Sequence, residues 1–282
     1  MNAIFLLLVI LGISAQHVTT KAYSTKAGGA YSFSAAKTLT VLIVFTLTAG
    51  RNLTFSSESI IYSVAFAIAY SVNAIFTVLA INTGPLSLTS LIGQYSLIIP
   101  TLCGLLILNE EAGVALIIGI VLLLVSLLLI NLEGKKEEKK ITLKWGIYVF
   151  LSFVGNGGCS TIQKIQQIKC NGAYKSEFMI IALLISTIAL FICTLISERD
   201  IMAHSFKKGF PYYSTCGLAN GAVNFFVLVL ATRMPASVMF PIISAGGIVT
   251  TALISIFVYK EKLSLPQKIG MVLGIAAVVV LG

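Results

Sequence analysis

The chain has 282 residues, of which 57% are hydrophobic and 10% charged, with a net charge of +9 and a mean hydropathy of +1.00. A soluble domain carries about 25% charge, so the composition excludes an ordinary soluble globule, and no basic stripe with interleaved aromatics marks a nucleic-acid partner. Apolar runs of roughly 20 residues, the length a helix needs to cross a bilayer, recur from end to end, where a barrel would show short alternating segments.

The N-terminus has the outline of a signal peptide: residues 4–13 are apolar and Ser14-Ala15 are small. No positive segment precedes the run and an amphipathic stretch follows it, so it reads as a first transmembrane helix. The hydropathy pattern predicts ten helices, at about 3–21, 30–49, 59–82, 85–108, 112–131, 145–164, 176–197, 211–232, 235–258 and 265–282. Helices three and four are separated by Thr83-Gly84-Pro85, and eight and nine by Arg233-Met234-Pro235. Proline suits a first helical turn because its missing N–H has no intrahelical partner there. Ser264-Leu265-Pro266-Gln267 fits a capping box before the last helix. Glu110 and Glu261 lie at helix junctions, where an acid favours a following N-terminus. Trp145, Tyr212 and Tyr213 fall at predicted helix ends and suit an aromatic belt. Gly217 with Gly221, and Ala245-Gly246-Gly247, permit close helix approach.

A charged linker, residues 132–144, separates a first unit (1–131) from a second (145–282). Five helices per unit is odd, so the second unit enters the membrane from the opposite side. The fold class is therefore an all-α polytopic membrane protein, ten transmembrane helices in two inverted five-helix repeats. The sequence repeats as well. Shifted by 151, Glu261 falls on Glu110, Gly270 on Gly119, Leu230-Ala231 on Leu79-Ala80 and Asn224 on Asn73. Gly172-Ala173-Tyr174 matches Gly29-Ala30-Tyr31 at a shift of 143, and Thr161-Ile162-Gln163 matches Ser14-Ala15-Gln16 at 147. Thirteen Lys and Arg residues fall in odd-numbered loops and five in even-numbered loops and their flanks, which by the positive-inside rule puts both termini outside.

Polar residues deep in such helices are site candidates. Asn73 and Asn224 are the leading pair, because each sits inside its helix and the repeat relates them. Tyr70 and Thr77 share a helical face with Asn73, and Asn220 shares one with Asn224. Amides donate and accept, which suits neutral or zwitterionic polar solutes; the alternative is interhelical hydrogen bonding alone. Gln16 and Gln163 form a second repeat pair, and Gln94 in helix four has only Ala245 as its repeat counterpart. Lys37 either snorkels to the interface or points inward to hold a carboxylate or phosphate. Glu177, at the start of helix seven, is a candidate coupling site for protons or another ion, set against a plain interfacial role. The five cysteines show no CxxC pair and no metal spacing, so they read as packing residues, with no metal or cofactor. His17 and His204 lie far apart and no HExxH, GxSxG or Walker motif is present, so nothing points to an enzyme. Asn52-Leu53-Thr54 reads as an accidental glycosylation sequon.

Taken together, the Tyr259-Lys260-Glu261-Lys262-Leu263-Ser264 junction, the following Gln267-Lys268-Ile269-Gly270, the less regular Asn109-Glu110-Glu111 copy and Lys37 in helix two resemble the EamA-like ten-helix proteins of the drug/metabolite transporter superfamily. The resemblance spans nearly the whole chain. It departs at the mid-helix prolines: Pro100 is ten residues before Glu110, and Pro241 twenty before Glu261, where the family often has about thirteen. The resemblance also implies cytoplasmic termini, against the charge count. It implies a multi-pass carrier in the cell membrane, monomer or homodimer, moving a small polar organic metabolite, an amino acid or related solute, outward by alternating access. A lipid or lipid-linked sugar translocator of the same superfamily and a non-transporting membrane scaffold are the alternatives.

Overall fold

The structure is a computed structural model and describes residues 1–26, 28–50, 53–84, 86–111, 113–131, 142–257 and 264–281. The described residues form α1 (Asn2–Lys26), α2 (Ala30–Thr48), α3 (Ser57–Thr83), α4 (Leu86–Tyr95), α5 (Ile98–Leu106), α6 (Val114–Asn131), α7 (Leu143–Lys169), α8 (Lys175–Ser197), α9 (Arg199–Ala231), α10 (Ala236–Phe257) and α11 (Leu265–Leu281). These make ten spans, because α4 and α5 are two pieces of the fourth. α1, α2, α3, α8 and α9 are long and apolar enough to cross a membrane unaided. The 27-residue α7 is not among them, since it carries Asn156, Gln163, Lys164, Gln166 and Gln167. Its polar side turns into the bundle against α3, α4, α5 and α9, while Ile147, Phe150 and Val154 on the other side are exposed.

Pro100 breaks the fourth span. Its ring removes the N–H that would reach Ser96 O and crowds that carbonyl. Ser96 O accepts from Ile99 N at 3.1 Å instead, and Ser96 N donates to Gly93 O at 3.3 Å. The sequence pattern predicted one continuous helix here.

The second correction concerns residues 198–210, expected to be a loop. Only Glu198 is non-helical between α8 and α9, and α9 runs on through Pro211. The stretch Arg199–Phe210 lacks a breaker before Gly209, so it propagates as a helix. His204 is therefore helical. Tyr212 and Tyr213 are not at a helix end but pack inside the bundle with Tyr23, Phe33 and Cys216. Trp145 is no belt residue either. It is 6% exposed, and its Nε1 donates to Thr89 Oγ1 at 3.0 Å.

Other expectations hold in detail. Ser264 N donates to Gln267 Oε1 at 3.0 Å and Gln267 N to Ser264 Oγ at 3.4 Å, the reciprocal capping box. Gly217 lets α9 approach α2: a β-carbon there would stand 2.5 Å from Thr40 Cβ and 3.0 Å from Lys37 O. Gly246 does the same for α10 against Ile10 of α1. Glu261, its flanking lysines, Asn52 and residues 132–141 of the linker lie outside the described residues.

The packing follows the repeat. α3 lies along α7 as α1 lies along α9, and α2 packs on α9 as α8 packs on α3. α2 meets α8, α5 meets α10 and α6 meets α11 across the pseudo-two-fold. One core joins Leu6, Val9, Leu230, Met239, Phe240 and Ile243 of α1, α9 and α10; another joins Val41, Phe45, Phe66, Phe178, Met179 and Leu183 of α2, α3 and α8. The outer faces of α6 and α8 expose Ile117, Val121, Leu128, Leu184, Ile188 and Ile192. A water-facing surface does not carry continuous apolar faces of this kind; a bilayer accommodates them.

Candidate functional site

Two polar clusters lie between the helices. In the first, Gln163 Nε2 of α7 donates to Asn224 Oδ1 of α9 at 2.7 Å. Asn224 Nδ2 donates to Asn220 O at 2.9 Å and Asn220 Oδ1 at 3.1 Å. Asn220 Nδ2 donates to Gln16 Oε1 of α1 at 2.8 Å. Four amides thus form one chain across α7, α9 and α1. Gln163 is buried; Gln16, Asn220 and Asn224 remain partly exposed. The i, i+4 spacing of Asn220 and Asn224 sets both on one face of α9.

The second cluster surrounds Asn73 on α3. Its Oδ1 accepts from Thr77 Oγ1 at 3.2 Å and Ser152 Oγ at 3.1 Å, and its Nδ2 donates to Asn156 Oδ1 at 3.4 Å. Asn156 Nδ2 reaches the break in the fourth span, donating to Ser96 Oγ at 2.6 Å and Gly93 O at 3.3 Å. Gly155 makes this approach possible: a β-carbon there would stand 2.8 Å from both Ala69 O and Asn73 N. Asn156, Ser152 and Ser96 escaped the sequence reading. Asn156 is a lone amide in a glycine-rich stretch, and at a shift of 147 its counterpart is Val9.

The repeat-related pair, Asn73 and Asn224, therefore sits in separate clusters, both contacting α7. Tyr70 turns from Asn73 toward α2, where its hydroxyl lies 3.3 Å from Thr38 Oγ1. Lys37 is two turns into α2, half-buried, with Nζ 5.9 Å from the centre of the Tyr70 ring. Among the described residues no carboxylate pairs with it. It faces protein rather than snorkelling. Gln94, between the Gly93 and Ser96 that Asn156 touches, lines a small cavity with Thr101, Pro241 and Ser244. Glu177 sits in the first turn of α8 and accepts from Thr54 N at 3.2 Å, away from the amides. Among the described residues no cluster of His, Cys, Asp or Glu could hold a metal ion, and all five cysteines are free.

Charge is placed at two helix junctions. Glu110 does not cap the helix that follows it. Its Oε1 accepts from Ala236 N at 2.7 Å and its Oε2 from Ser237 N at 2.8 Å, so it caps α10 of the other unit. Asn109, at φ 51°, turns the chain back to allow this, and Gly104 gives the carboxylate room. Lys164, one of the five charges counted from sequence in the even-numbered loops and their flanks, is only 5% exposed in its side chain and lies 3.7 Å from Glu110. Its Nζ donates to Ala231 O at 2.8 Å and Met234 O at 2.5 Å, closing the C-terminal end of α9. Burial raises the Glu110 pKa, but the N–H groups of Ser237 and Ala236 outweigh it and, with Lys164, hold the carboxyl below its usual range. Glu198 plays the matching part elsewhere. Its Oε1 accepts from Tyr31 N at 2.9 Å, and its Oε2 from Ser32 N and Ser32 Oγ at 2.7 Å each, capping α2.

No curated protein matches the chain. A solved structure described only as "Crystal structure of protein" superposes with a TM-score of 0.82, covering 99% of this chain and 95% of its own at 12% identity, so the two share a fold. Residues 143–282 match the model of the EamA-like transporter family. That span contains the Gln163–Asn224–Asn220 stretch of the amide chain and the whole of the second unit. With the ten-span helical architecture beneath it, the chain belongs to the EamA-like transporter family, within the drug/metabolite transporter superfamily, and is a multi-pass membrane transporter.

Proposed function

We propose that this chain is a secondary transporter of the cell membrane that carries a small polar organic metabolite, an amino acid or related solute, outward by alternating access. The two repeat units, 1–131 and 145–282, are its moving halves. The observation that carries this reading is the amide chain Gln163–Asn224–Asn220–Gln16, which ties both units together and leaves three of its four members partly exposed. A solute crossing the midplane exchanges its water shell for protein groups, and amides offer both donors and acceptors. Lys37, an inward ammonium with no carboxylate partner among the described residues, supplies the charge for a substrate carboxylate. Glu177 stays the candidate for ion coupling. Cells expressing the chain or Asn224→Leu at matched membrane level are compared by untargeted internal and external metabolite profiling. A solute class shifted outward by the wild type alone supports the reading, and none shifted across varied media counts against it.

One observation favours a second reading, a lipid translocator. α2, α8 and α9 bound an open cleft of about 460 Å³, lined by Leu39, Ile43, Phe191, Phe206 and Phe210. Such a cleft suits an acyl chain entering sideways. Lipid redistribution in reconstituted vesicles without soluble-solute flux would favour this reading over the first.

A further inference from the structure

Glu110 and Glu198 do the same thing at opposite faces of the membrane. Each follows the last turn of a helix in one unit and reaches into the other unit to cap a helix N-terminus there: Glu110 leaves α5 and caps α10, and Glu198 leaves α8 and caps α2. Three spans (α6, α7 and α8) separate the end of α5 from the end of α8. An odd number of crossings puts the two junctions on opposite faces. The two acids are not repeat mates, since Glu198 follows the seventh span and Glu110 the fourth. The device was built twice from different residues.

Both carboxylates nest against a glycine. A β-carbon at Gly29 would stand 2.7 Å from Glu198 Oε2 and 2.7 Å from Ser205 Oγ, and one at Gly104 would meet Glu110 Oε2. Both bind through charge-assisted contacts to free N–H groups at the positive end of a helix dipole. The first junction is reinforced from a third helix, because Lys164 holds the last carbonyl of α9 and that of Met234 in the turn after it, while Glu110 holds the first N–H groups of α10. At the second, Tyr23 Oη donates to Gly29 O at 3.0 Å, tying the end of α1 to the start of α2. The polar clusters around Asn73 and Asn224 are built from the spans that run between the two junctions.

We propose that these carboxylate caps are the two gates of the transport cycle: Glu110 with Lys164 closes one face, Glu198 closes the other, and alternating access consists of releasing one while the other holds. The proposal rests on the alternating-access reading above, and it concerns access rather than substrate. In this structure both caps are engaged. Each cap spans the two units, so opening either face breaks two backbone N–H contacts to a carboxylate and leaves the opposite junction intact.

The test is sided labelling. Ser152→Cys, beside Asn73, serves as reporter in a chain whose five native cysteines are replaced by serine or alanine. A membrane-impermeant maleimide is applied to each face of oriented vesicles. Glu110→Gln should raise the labelling rate at least threefold from the α5–α10 face and leave the other face unchanged. Glu198→Gln should do the reverse. Gly104→Ala and Gly29→Ala, which crowd the carboxylates without removing them, give a second pair should the glutamine variants fail to insert. If both variants act from the same face, or if each lowers thermal stability without changing labelling from either face, the acids are static caps and the gate proposal is overturned. That result leaves the carrier reading standing. Loss of the carrier reading would show instead as absent solute flux with sided labelling intact.

Discussion

Gln163 of α7 and Asn224 of α9 are joined by a 2.7 Å hydrogen bond, and through it the two helices share one amide chain that continues to Gln16 of α1. The bond matters because α7 is the span too polar to cross a bilayer unaided. Most of its polar side chains are buried in the bundle, and through Gln163 they meet Asn224, Asn220 and Gln16, which stay partly open to a solute. Replacing Asn224 by leucine removes the central member. Transport should fall at least about tenfold, equivalent to ~1.4 kcal/mol, while interhelical stability changes by only about 0.6–2 kcal/mol. Initial flux and thermal unfolding in detergent, measured side by side, separate the two effects.

Lys37 gives a charge-specific prediction. Lys37→Gln should raise the KM for carboxylate-bearing solutes at least fivefold and leave their maximal rate within twofold, and Lys37→Arg should restore most of the loss. Equal KM values for Lys37→Gln and wild type would remove Lys37 from the site.

Glu110 sets a pH dependence. Its folded-state carboxyl lies below the usual range, so its stabilising contribution is fully present above the unfolded-state value and is lost as pH falls through the lower, folded one. Glu110→Gln should be less stable than wild type near neutral pH by about 2 kcal/mol, the cost of leaving buried partners unmatched. The gap should close in acid. Melting temperatures of both proteins from pH 3 to 8 would show the convergence; curves that stay parallel would contradict it.

Gly155 sits where α7 touches the backbone of α3. A β-carbon 2.8 Å from Ala69 O and Asn73 N meets main chain, which cannot swing aside. Gly155→Ala should cost about 1–3 kcal/mol and weaken transport by displacing Asn156 from Asn73. Gly158, whose β-carbon would stand 3.6 Å from Ala69 Cβ, should accept alanine without loss. Paired melting curves check both.

Glu177 lies at the first turn of α8 against Thr54 N, remote from the amides. If it couples an ion, Glu177→Gln flattens the pH dependence of flux. Unchanged flux and pH dependence would limit it to a helix-end role.

The spans were legible because apolar runs alternate with charge and proline, and the i, i+4 pair Asn220–Asn224 was legible from helical spacing. What joins Asn220 to Gln16, or Asn156 to Asn73, is contact between spans far apart in sequence, and no local pattern encodes it. The break at Ser96–Leu97 had a visible cause in Pro100, but proline in a membrane helix is tolerated in several ways, and neighbouring polar groups decide which. Residues 199–210 looked like a loop because they are charged; in the fold they are a helix, with Ser205 and Gly209 buried and Arg199, Lys207 and Lys208 exposed. Lys164 counted as a topogenic charge until its partners, Glu110 and two carbonyls of the α9–α10 junction, were in place.

The most direct measurement of the carrier account is counterflow in vesicles containing the purified chain, loaded with a mixture of amino acids and related small polar solutes. The account predicts that at least one of them exchanges faster with wild-type protein than with Asn224→Leu at equal reconstitution. Exchange no faster than in protein-free vesicles for every solute, or equal rates for the two proteins, would contradict it.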